Sequence, residues 1–300
     1  MMEKIDELLQ LIQTEPIEET IYRGESRNIV GQRAFGGQVL AQALNAAINT
    51  VPEDRFVHSL HGYFILPGDV TRPIVYEVDT IRDGGTFTTR RVVAIQKGRA
   101  IFNMSASFQL EEEGFDHQIS MINVPPPDSL IDDVELTKIR EEKRENRDEE
   151  RSAENIRRAM RPIEFRRVER YDNSNPIDQQ PMQHVWIRAR GAMPYETPAD
   201  KAMHRAVLAY ASDYNLLSTS LLPHRSEIKR ERMQVASLDH AMWFHRDFRM
   251  DEWLLYALDS PSASNARGFN RGNIFTQDGR LVASVVQEGL IRQRKSKSDE

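Results

Sequence analysis

One acidic side chain is a candidate for chemistry because it interrupts an otherwise uncharged stretch. Residues 206–223, AVLAYASDYNLLSTSLLP, contain Asp213 as their single charged residue. Burying a carboxylate in apolar sequence is costly unless it is hydrogen-bonded or paired, which makes Asp213 a candidate general base. Two structural interpretations stay open: Asp213 binds a nearby hydroxyl such as Ser212, or it faces solvent from a short exposed stripe.

Two polar residues further along the chain are candidates for orienting a water molecule or a substrate. In VASLDHAMWFH (235–245), the two-residue period of a strand places Ser237 and Asp239 on one face. In RLVASVVQEG (280–289), Gln287 lies among apolar residues, and a buried amide must find partners. The structural alternatives are an ordinary strand serine, an Asp239 paired with an arginine, and a Gln287 that bridges two elements.

Composition and motifs exclude several classes of site. The chain has no cysteine, which removes disulfides, thiolate metal sites and cysteine nucleophiles. It has no G-x-S-x-G elbow, P-loop, dinucleotide glycine motif or H-E-x-x-H. In strands, neither close histidine pair points both rings to one side; the pairs are His58 with His61 and His240 with His245. We therefore expect neither a metal nor another cofactor.

Length and charge indicate a globular protein of one or two domains. The 300 residues are 39% hydrophobic and 29% charged, and the net charge of −6 argues against a general nucleic-acid binder. The longest uncharged stretch, residues 34–52, is too polar to span a membrane. No secretory signal opens the sequence, and RQRKSKSDE at the end is predicted to be a disordered tail. We expect a soluble, cytoplasmic protein.

A charged connector divides the chain into an N-terminal unit, residues 15–112, and a C-terminal unit, residues 163–294. Within the connector, residues 113–162, the stretch 132–161 carries ten acidic and nine basic residues. Such a pattern predicts a solvated helix with ion pairs between residues four apart.

Each unit is predicted to begin with a buried helix and to continue with strands. FGGQVLAQALNAAINTV (35–51) has no charge on any face, so we expect other elements to surround it. The second helix is predicted to start with Thr197 as N-cap, Pro198 at N1 and Asp200 at N3. The strand-like segments are HSLHGYFI, PIVYEVDTIR, TFTTRRVVAIQ and AIFNMSASFQL after the first helix, and VASLDHAMWFH, EWLLYALDS, ARGFNRGNIFTQ and RLVASVVQEGLI after the second.

The two units also echo each other in sequence. Fifty residues separate Ser59 from Gln109, and fifty separate Ser237 from Gln287. One helix followed by several strands, given twice, predicts an α+β protein built from two similar halves. We expect two antiparallel sheets, each wrapped around its own central helix.

Segments spread over most of the chain match one known family in the same order. From about residue 21 to residue 294, outside the connector, they are AFGGQVLAQAL, HSLHGYFILPGD, RDGGTFTTRRVVAIQKGRAIFNMSASFQ, PIEFRRVE, HVWIRARG, LAYASD, SLDHAMWFHR and QDGRLVASVVQEGLIR. These segments resemble the type II acyl-CoA thioesterases, which are double-hotdog proteins. The resemblance implies hydrolysis of acyl-CoA, and we expect the substrate to be medium- to long-chain fatty acyl-CoA. Exposed sheet edges in such folds favour pairing between chains, so we expect a homo-oligomer.

The resemblance also implies a catalytic trio, whose positions here are Asp213, Ser237 and Gln287. In the family these residues activate a water molecule. The N-terminal half has Ser59 and Gln109 at the corresponding positions, but its helix contains no acid. That half is therefore expected to be catalytically silent.

Other roles and functions remain open from the sequence. Gly36 and Gly37 are candidates for substrate binding at a helix start, where backbone N–H groups stabilise an oxyanion, and Arg267 and Arg271 are candidate phosphate ligands. A covalent route would make Ser237 a nucleophile. Two alternative functions are a hotdog-fold enoyl-CoA hydratase, although YDNSNPID (171–178) lacks the expected histidine, and a non-catalytic acyl-CoA-binding protein.

Overall fold

The computed structural model describes residues 4–29, 33–143, 148–171 and 175–294, and these form an α+β fold, as predicted. The α-helices are α1 (Ile5–Ile12), α2 (Gly36–Ile48), α3 (Asp133–Glu142), α4 (Glu149–Ala159) and α5 (Pro198–Ser212). The strands are β1 (Glu15–Glu18), β2 (Ile21–Gly24), β3 (Arg55–Phe64), β4 (Ile74–Asp83), β5 (Phe87–Gln96), β6 (Arg99–Leu110), β7 (Ile163–Arg167), β8 (Met182–Ala189), β9 (Met233–Ser237), β10 (Asp239–Phe244), β11 (Leu254–Ser264), β12 (Arg267–Thr276) and β13 (Leu281–Gln293). Short 3₁₀ segments lie at Pro127–Ser129, Leu217–His224 and Arg230–Arg232.

The strands in the described ranges form one antiparallel sheet of 13 strands. Its order is β1-β2-β4-β5-β6-β3-β10-β13-β12-β11-β8-β7, and β9 pairs with β13 beside this path. The strands of the two halves meet where β3 pairs with β10, with Leu60 opposite Met242. The two sheets that we predicted are therefore joined into one. Pairing of β3 with β10 satisfies backbone groups that two free sheet edges would expose.

Helix α2 is buried along most of its length, which confirms the prediction from its uncharged sequence. Residues 37–47 are all buried, and the helix packs against α1, α5 and strands of the N-terminal half. Its polar side chains have partners: Gln42 Oε1 accepts from the Tyr76 hydroxyl at 2.7 Å, and Asn45 Oδ1 accepts from the Thr14 N–H at 2.9 Å. These hydrogen bonds offset the cost of burying the amides.

Helix α5 begins with the predicted capping box and ends at the candidate base. The Asp200 N–H donates to Thr197 Oγ1 at 3.1 Å, and the Thr197 N–H donates to Asp200 Oδ2 at 2.9 Å, with Pro198 at N1. At the other end, the hydroxyl of the buried Tyr256 donates to the carbonyl oxygen of Ser212 at 3.0 Å. This bond ties the last turn of α5 to β11.

The connector contains two helices instead of the single solvated helix that we predicted. The α3 side chain of Glu141 is buried and accepts from Ser152 Oγ at 2.9 Å and from Asn155 Nδ2 at 3.0 Å, both on α4. A predicted ion pair between residues four apart is present, with Arg158 Nε 3.0 Å from Glu154 Oε1. Hydrogen bonds of Glu141 across the two helices explain why they pack together. Residues 144–147 lie outside the described residues.

The described part of the chain contains no helix that is long and apolar enough to cross a bilayer. The predicted disordered tail, residues 292–300, lies mostly outside the described residues, which end at residue 294.

We predict that Gly272→Ala destabilises the fold because Gly272 makes room for a buried ring. A Cβ at this position in β12 would lie 2.2 Å from Tyr256 Cε2, whereas a Cβ at the exposed Gly85 would meet nothing within 4 Å. Overpacking of this kind costs about 1–3 kcal/mol. Urea unfolding should show that loss for Gly272→Ala and little change for Gly85→Ala; equal stabilities of the two variants would contradict the prediction.

Candidate active site

Asp213 lies where the C-terminal end of α5 meets the N-terminal end of α2. Asp213 is the C-cap residue of α5, and its Oδ2 accepts a hydrogen bond from the Gly37 N–H at 2.9 Å. The N-cap position of α2 is Phe35, which offers no side-chain hydrogen bond to the helix. The carboxylate therefore supplies a cap from another helix, at an end where the helix dipole favours negative charge.

Two glycines allow this close approach. A Cβ on Gly36 would lie 2.7 Å from Asp213 Oδ2, and a Cβ on Gly37 would lie 2.4 Å from the carbonyl oxygen of Tyr210. Among the backbone N–H groups at the start of α2, where we predicted an oxyanion site, that of Gly37 is bound to Asp213. The Gly36 N–H donates to no residue within the described ranges, so it is the candidate for a bound substrate.

Gln287 holds the other side of the Asp213 carboxylate. The Gln287 side chain is buried on β13, and its Nε2 donates to Asp213 Oδ1 at 2.8 Å. Its carbonyl oxygen, Oε1, is also buried but accepts from no residue that the structure describes. Buried polar atoms in folded proteins are usually hydrogen-bonded, to the protein or to a bound molecule. This oxygen is therefore a candidate for receiving a hydrogen bond from a bound molecule.

His240 and Ser212 complete the network and determine which ring nitrogen carries the proton. The Ser212 hydroxyl donates to the carbonyl oxygen of Ala209 at 2.9 Å, so its oxygen accepts from His240 Nε2, also at 2.9 Å. His240 Nδ1 is then unprotonated and accepts from Gln287 Nε2 at 3.1 Å. Both N–H bonds of this amide are thus used, one on His240 and one on Asp213, which directs Oε1 away from the carboxylate.

Sequence reasoning missed the roles of His240 and Ser212. From the sequence, His240 is a candidate only as a metal ligand, and Ser212 only as a local partner of Asp213. A signal was present, because His240 lies between apolar residues of a strand and a buried imidazole needs two hydrogen-bond partners.

Ser237 lies on the same face of the sheet as Gln287. It pairs with Gly289, two residues beyond Gln287 on β13, and side chains two residues apart on a strand share a face. We call this the inner face. The Ser237 hydroxyl makes no hydrogen bond with the described part of the chain. The structure thus brings Asp213 and Gln287 into contact and places Ser237 opposite Gly289, next to Gln287 on the inner face.

The predicted continuous strand 235–245 is wrong, and the error changes which residues share a face. The strand breaks at Leu238, between β9 and β10. After this irregularity His240 contacts Gln287 on the inner face, whereas Asp239 Oδ1 accepts from the Glu288 N–H at 2.6 Å. Asp239 therefore binds a backbone N–H, and no arginine of the described residues pairs with it. Burial raises the pKa of Asp239, against the opposing effect of this hydrogen bond.

The corresponding positions of the N-terminal half have different partners. Gln109 Nε2 donates to Glu112 Oε2 at 3.0 Å near the surface, and Ser59 is buried. Close to the end of α2, the buried Arg90 donates from Nε to Thr50 Oγ1 and from Nη2 to the Thr50 carbonyl oxygen, each at 2.9 Å. An arginine thus binds just beyond the C-terminal end of α2, whereas α5 ends at Asp213.

The two arginines predicted to bind phosphate are paired with carboxylates. Arg267 Nε donates to Glu288 at 2.8 Å, and Arg271 donates to both oxygens of Asp259 at 2.9 and 2.8 Å. In the sheet, Arg267 lies opposite Leu290 of β13 and Arg271 lies opposite Val286. Both β13 residues are an odd number of positions from Gln287, so the two arginines lie on the face of the sheet opposite to Gln287. The structure therefore does not bring them to the Asp213 network, and their phosphate role stays a prediction.

Two of the histidines that we considered as metal ligands bind hydroxyl groups. His58 Nε2 lies 2.8 Å from Ser107 Oγ, and His245 Nε2 lies 3.0 Å from Ser284 Oγ. Within the described ranges, no group of three or more His, Asp or Glu side chains is placed to hold a metal ion.

Two family models and several known proteins match most of the chain. The models are described as acyl-CoA thioesterase N-terminal domain, over residues 25–109, and acyl-CoA thioesterase, over residues 158–290. Acyl-CoA thioesterase 2 of Haemophilus influenzae is 41% identical over 97% of this chain and 99% of that protein. An acyl-CoA thioesterase II structure from Mycobacterium marinum is 42% identical over 95% of this chain and 98% of that one, with a TM-score of 0.77. A hot dog fold protein from Alicyclobacillus acidocaldarius, 17% identical over 95% of this chain and 98% of that one, has a TM-score of 0.73 and shares the fold.

We predict that His240 lowers stability in weak acid. Burial lowers the pKa of the His240 ring from 6.5 to about 4, against the opposing effect of the Asp213 charge. Between these values the unfolded chain binds the proton and the native chain does not. The free energy of unfolding should therefore be fully retained above pH 6.5 and fall as the pH drops toward about 4.

Comparison of the wild type with His240→Asn isolates this effect. In urea unfolding at about pH 7.5 and about pH 5, the wild type should lose more stability than the variant. Nitrogen NMR of the wild-type ring should show a neutral imidazole protonated on Nε2 at about pH 6. A ring that carries protons on both nitrogens at that pH would contradict the assignment.

Proposed function

The chain belongs to the acyl-CoA thioesterase family and is a thioester hydrolase, and on this basis we propose that it hydrolyses medium- to long-chain fatty acyl-CoA to free fatty acid and CoA. Family membership decides against the enoyl-CoA hydratase and the non-catalytic binder. The observation that carries the proposed chemistry is the bond from Gln287 Nε2 to Asp213, beside a Gln287 Oε1 that is buried and lacks a partner within the described residues.

Asp213 is the proposed general base toward a water molecule. Each carboxylate oxygen accepts one hydrogen bond from the protein, at 2.8 and 2.9 Å, and has capacity for another. One hydrogen of the water is directed to Asp213 and the other to Gln287 Oε1. A water held by two acceptors presents a lone pair to the thioester carbon.

The proposed hydrolysis needs no further reactant. The water oxygen bonds to the carbonyl carbon while Asp213 takes a proton, and negative charge develops on the carbonyl oxygen. The Gly36 N–H is the candidate donor to this oxyanion. Collapse of the intermediate breaks the C–S bond, and the proton on Asp213 passes to the departing sulfur. Fatty acid and CoA leave, and Asp213 is a carboxylate again.

Ser237 is proposed to position the water or the thioester and not to attack it. A serine nucleophile needs a base within hydrogen-bond reach, usually a histidine. Both ring nitrogens of the inner-face His240 are already bonded, to Ser212 and Gln287, and its low pKa keeps it neutral and weakly basic. These contacts favour direct attack by water.

The proposal assigns the catalysis to one half of a double hotdog. Residues 15–112 form the N-terminal hotdog, which is catalytically silent, residues 113–162 the connector, and residues 163–294 the catalytic hotdog. The absence of an acid in α2 and the Arg90 contacts with Thr50 near its end support this division. A homo-oligomeric assembly stays a prediction.

We predict that Asp213→Asn lowers kcat by about a thousandfold, because the amide cannot take the proton from water. The side chain keeps nearly the same shape and can still accept from Gly37, but its Nδ2 then faces the Gln287 Nε2 donor, so urea unfolding should show a folded variant that has lost about 1–3 kcal/mol. Thiol release from a fatty acyl-CoA measures the rate. Asp79→Asn, at a surface carboxylate 3.1 Å from Arg91 Nη2, is the matched control and should retain full activity. A turnover of Asp213→Asn near that of the wild type would refute the role.

Ser237→Ala should lower kcat by about ten- to a hundredfold without abolishing turnover, because only a positioning hydrogen bond is lost. Rapid quenching followed by intact-mass measurement tests the covalent alternative, since an acyl group on the wild-type chain during turnover would overturn direct attack. A single turnover in ¹⁸O water extends the test to Asp213 as a nucleophile. Direct attack by water puts the ¹⁸O label into the fatty acid in the first turnover. Attack by the Asp213 carboxylate would instead form an anhydride, and its hydrolysis at the Asp213 carbonyl would put the label into the protein. The label would then reach the fatty acid only in later turnovers.

A further inference from the structure

A cavity of about 810 Å³ lies between the connector and the catalytic half of the chain. Its walls come from α3, the end of β7, the 3₁₀ segment Leu217–His224 and the start of β9. We call it the connector cavity. Its volume is within the range of about 300–1,000 Å³ that is usual for sites of small molecules.

The connector cavity lies next to the proposed active site along the inner face. Val235 and Met233 line the cavity, and they precede Ser237 on β9 by two and four residues, so all three share a face. From the other wall, Gln183 lines the cavity and donates from Nε2 to the Asn215 carbonyl oxygen at 3.0 Å, two residues after Asp213. A ligand with its reactive end at Asp213 thus has the cavity beside it.

Basic side chains dominate the charge of the connector cavity. The basic residues in its walls are Arg140, Arg167, Arg170, Arg225 and Lys229. Two of its three carboxylates have partners: Asp133 lies 3.5 Å from Arg167 in the same wall, and Glu169 Oε1 lies 2.6 Å from Nδ1 of His184, which does not line the cavity. An excess of cationic groups in a concave site favours a polyanionic ligand.

The wall also offers a flat surface for a ring. The guanidinium of Arg225 lies over the Tyr171 ring, 5.0 Å from its centre, and both line the connector cavity. Stacked arginine and aromatic side chains are a common binding surface for the base of a nucleotide. The apolar Val235 and Met233 lie toward Ser237, and the basic residues come from other segments.

We propose that the connector cavity binds the phosphorylated adenosine end of coenzyme A, with the acyl thioester at Asp213. This inference rests on the proposed function, which gives acyl-CoA as the substrate. The nucleotide end of CoA carries a pyrophosphate and a 3′-phosphate, which need cations, whereas the pantetheine arm is uncharged. Arg267 and Arg271 lie on the opposite face and are paired with Glu288 and Asp259, so the cavity supplies the cations on the inner face.

The double variant Arg170→Ala/Lys229→Ala tests the proposal with little risk to the fold. Both side chains are exposed, and neither makes a hydrogen bond or ion pair through its charged group with a residue in the described ranges. The matched control is Arg23→Ala/Arg91→Ala, which removes the same charge from two exposed positions of the N-terminal half. Calorimetric binding of free CoA and of pantetheine, and steady-state kinetics with acyl-CoA and acyl-pantetheine, compare substrates with and without the nucleotide.

The cavity variant should bind CoA about tenfold more weakly than the wild type and raise KM for acyl-CoA by a similar factor. Its kcat, its KM for acyl-pantetheine and its affinity for pantetheine should not change, and the control should match the wild type throughout. Unchanged CoA binding, or an equal change for CoA and pantetheine, would overturn the proposal. Because binding is measured without turnover, a wild type that binds CoA but hydrolyses no thioester would refute the proposed function and leave the cavity result valid.

Discussion

The contact between Asp213 and the first turn of α2 is the interaction on which the proposed site depends. Asp213 ends α5, where the helix dipole disfavours a carboxylate, but the Gly37 N–H at the start of α2 donates to it at 2.9 Å. Phe35 at the N-cap position gives α2 no cap of its own. The acid is therefore a cap supplied by the other half of the chain, and the site forms only when the two halves are packed together.

The same reasoning explains why the two similar halves are not chemically equivalent. The N-terminal end of α5 is satisfied by its own Thr197 and Asp200, so it needs no carboxylate from α2. Near the C-terminal end of α2, Arg90 binds the hydroxyl and the carbonyl of Thr50. A cation at a helix C-terminus is favourable, whereas an acid there is not. The N-terminal half has a cation, Arg90, near the C-terminal end of its helix, which is favourable. The proposed catalytic half has an acid, Asp213, at the same end of its helix, which is unfavourable.

The sequence predicts the local features of this arrangement better than its long-range ones. The capping box at Thr197 and the burial of α2 follow from neighbouring residues, and the structure contains both. The pairing of β3 with β10 joins strands far apart in the chain, and no local pattern specifies it. The break at Leu238 is also a product of tertiary structure. One irregular residue reverses the alternation of side chains between the two faces of the sheet. His240 therefore lies on the face of Gln287, and the predicted shared face of Ser237 and Asp239 is wrong.

The buried network fixes the orientation of the Gln287 amide. Gln287 Oε1 would be satisfied if its amide rotated to face a donor, but His240 Nδ1 and Asp213 both require the N–H side. Ser212 in turn keeps the His240 proton on Nε2. Each residue fixes the orientation of the next, so Gln287 Oε1 keeps its position beside Asp213. A site preorganised in this way offers its acceptor to the first small donor that enters, which in the proposed reaction is the attacking water.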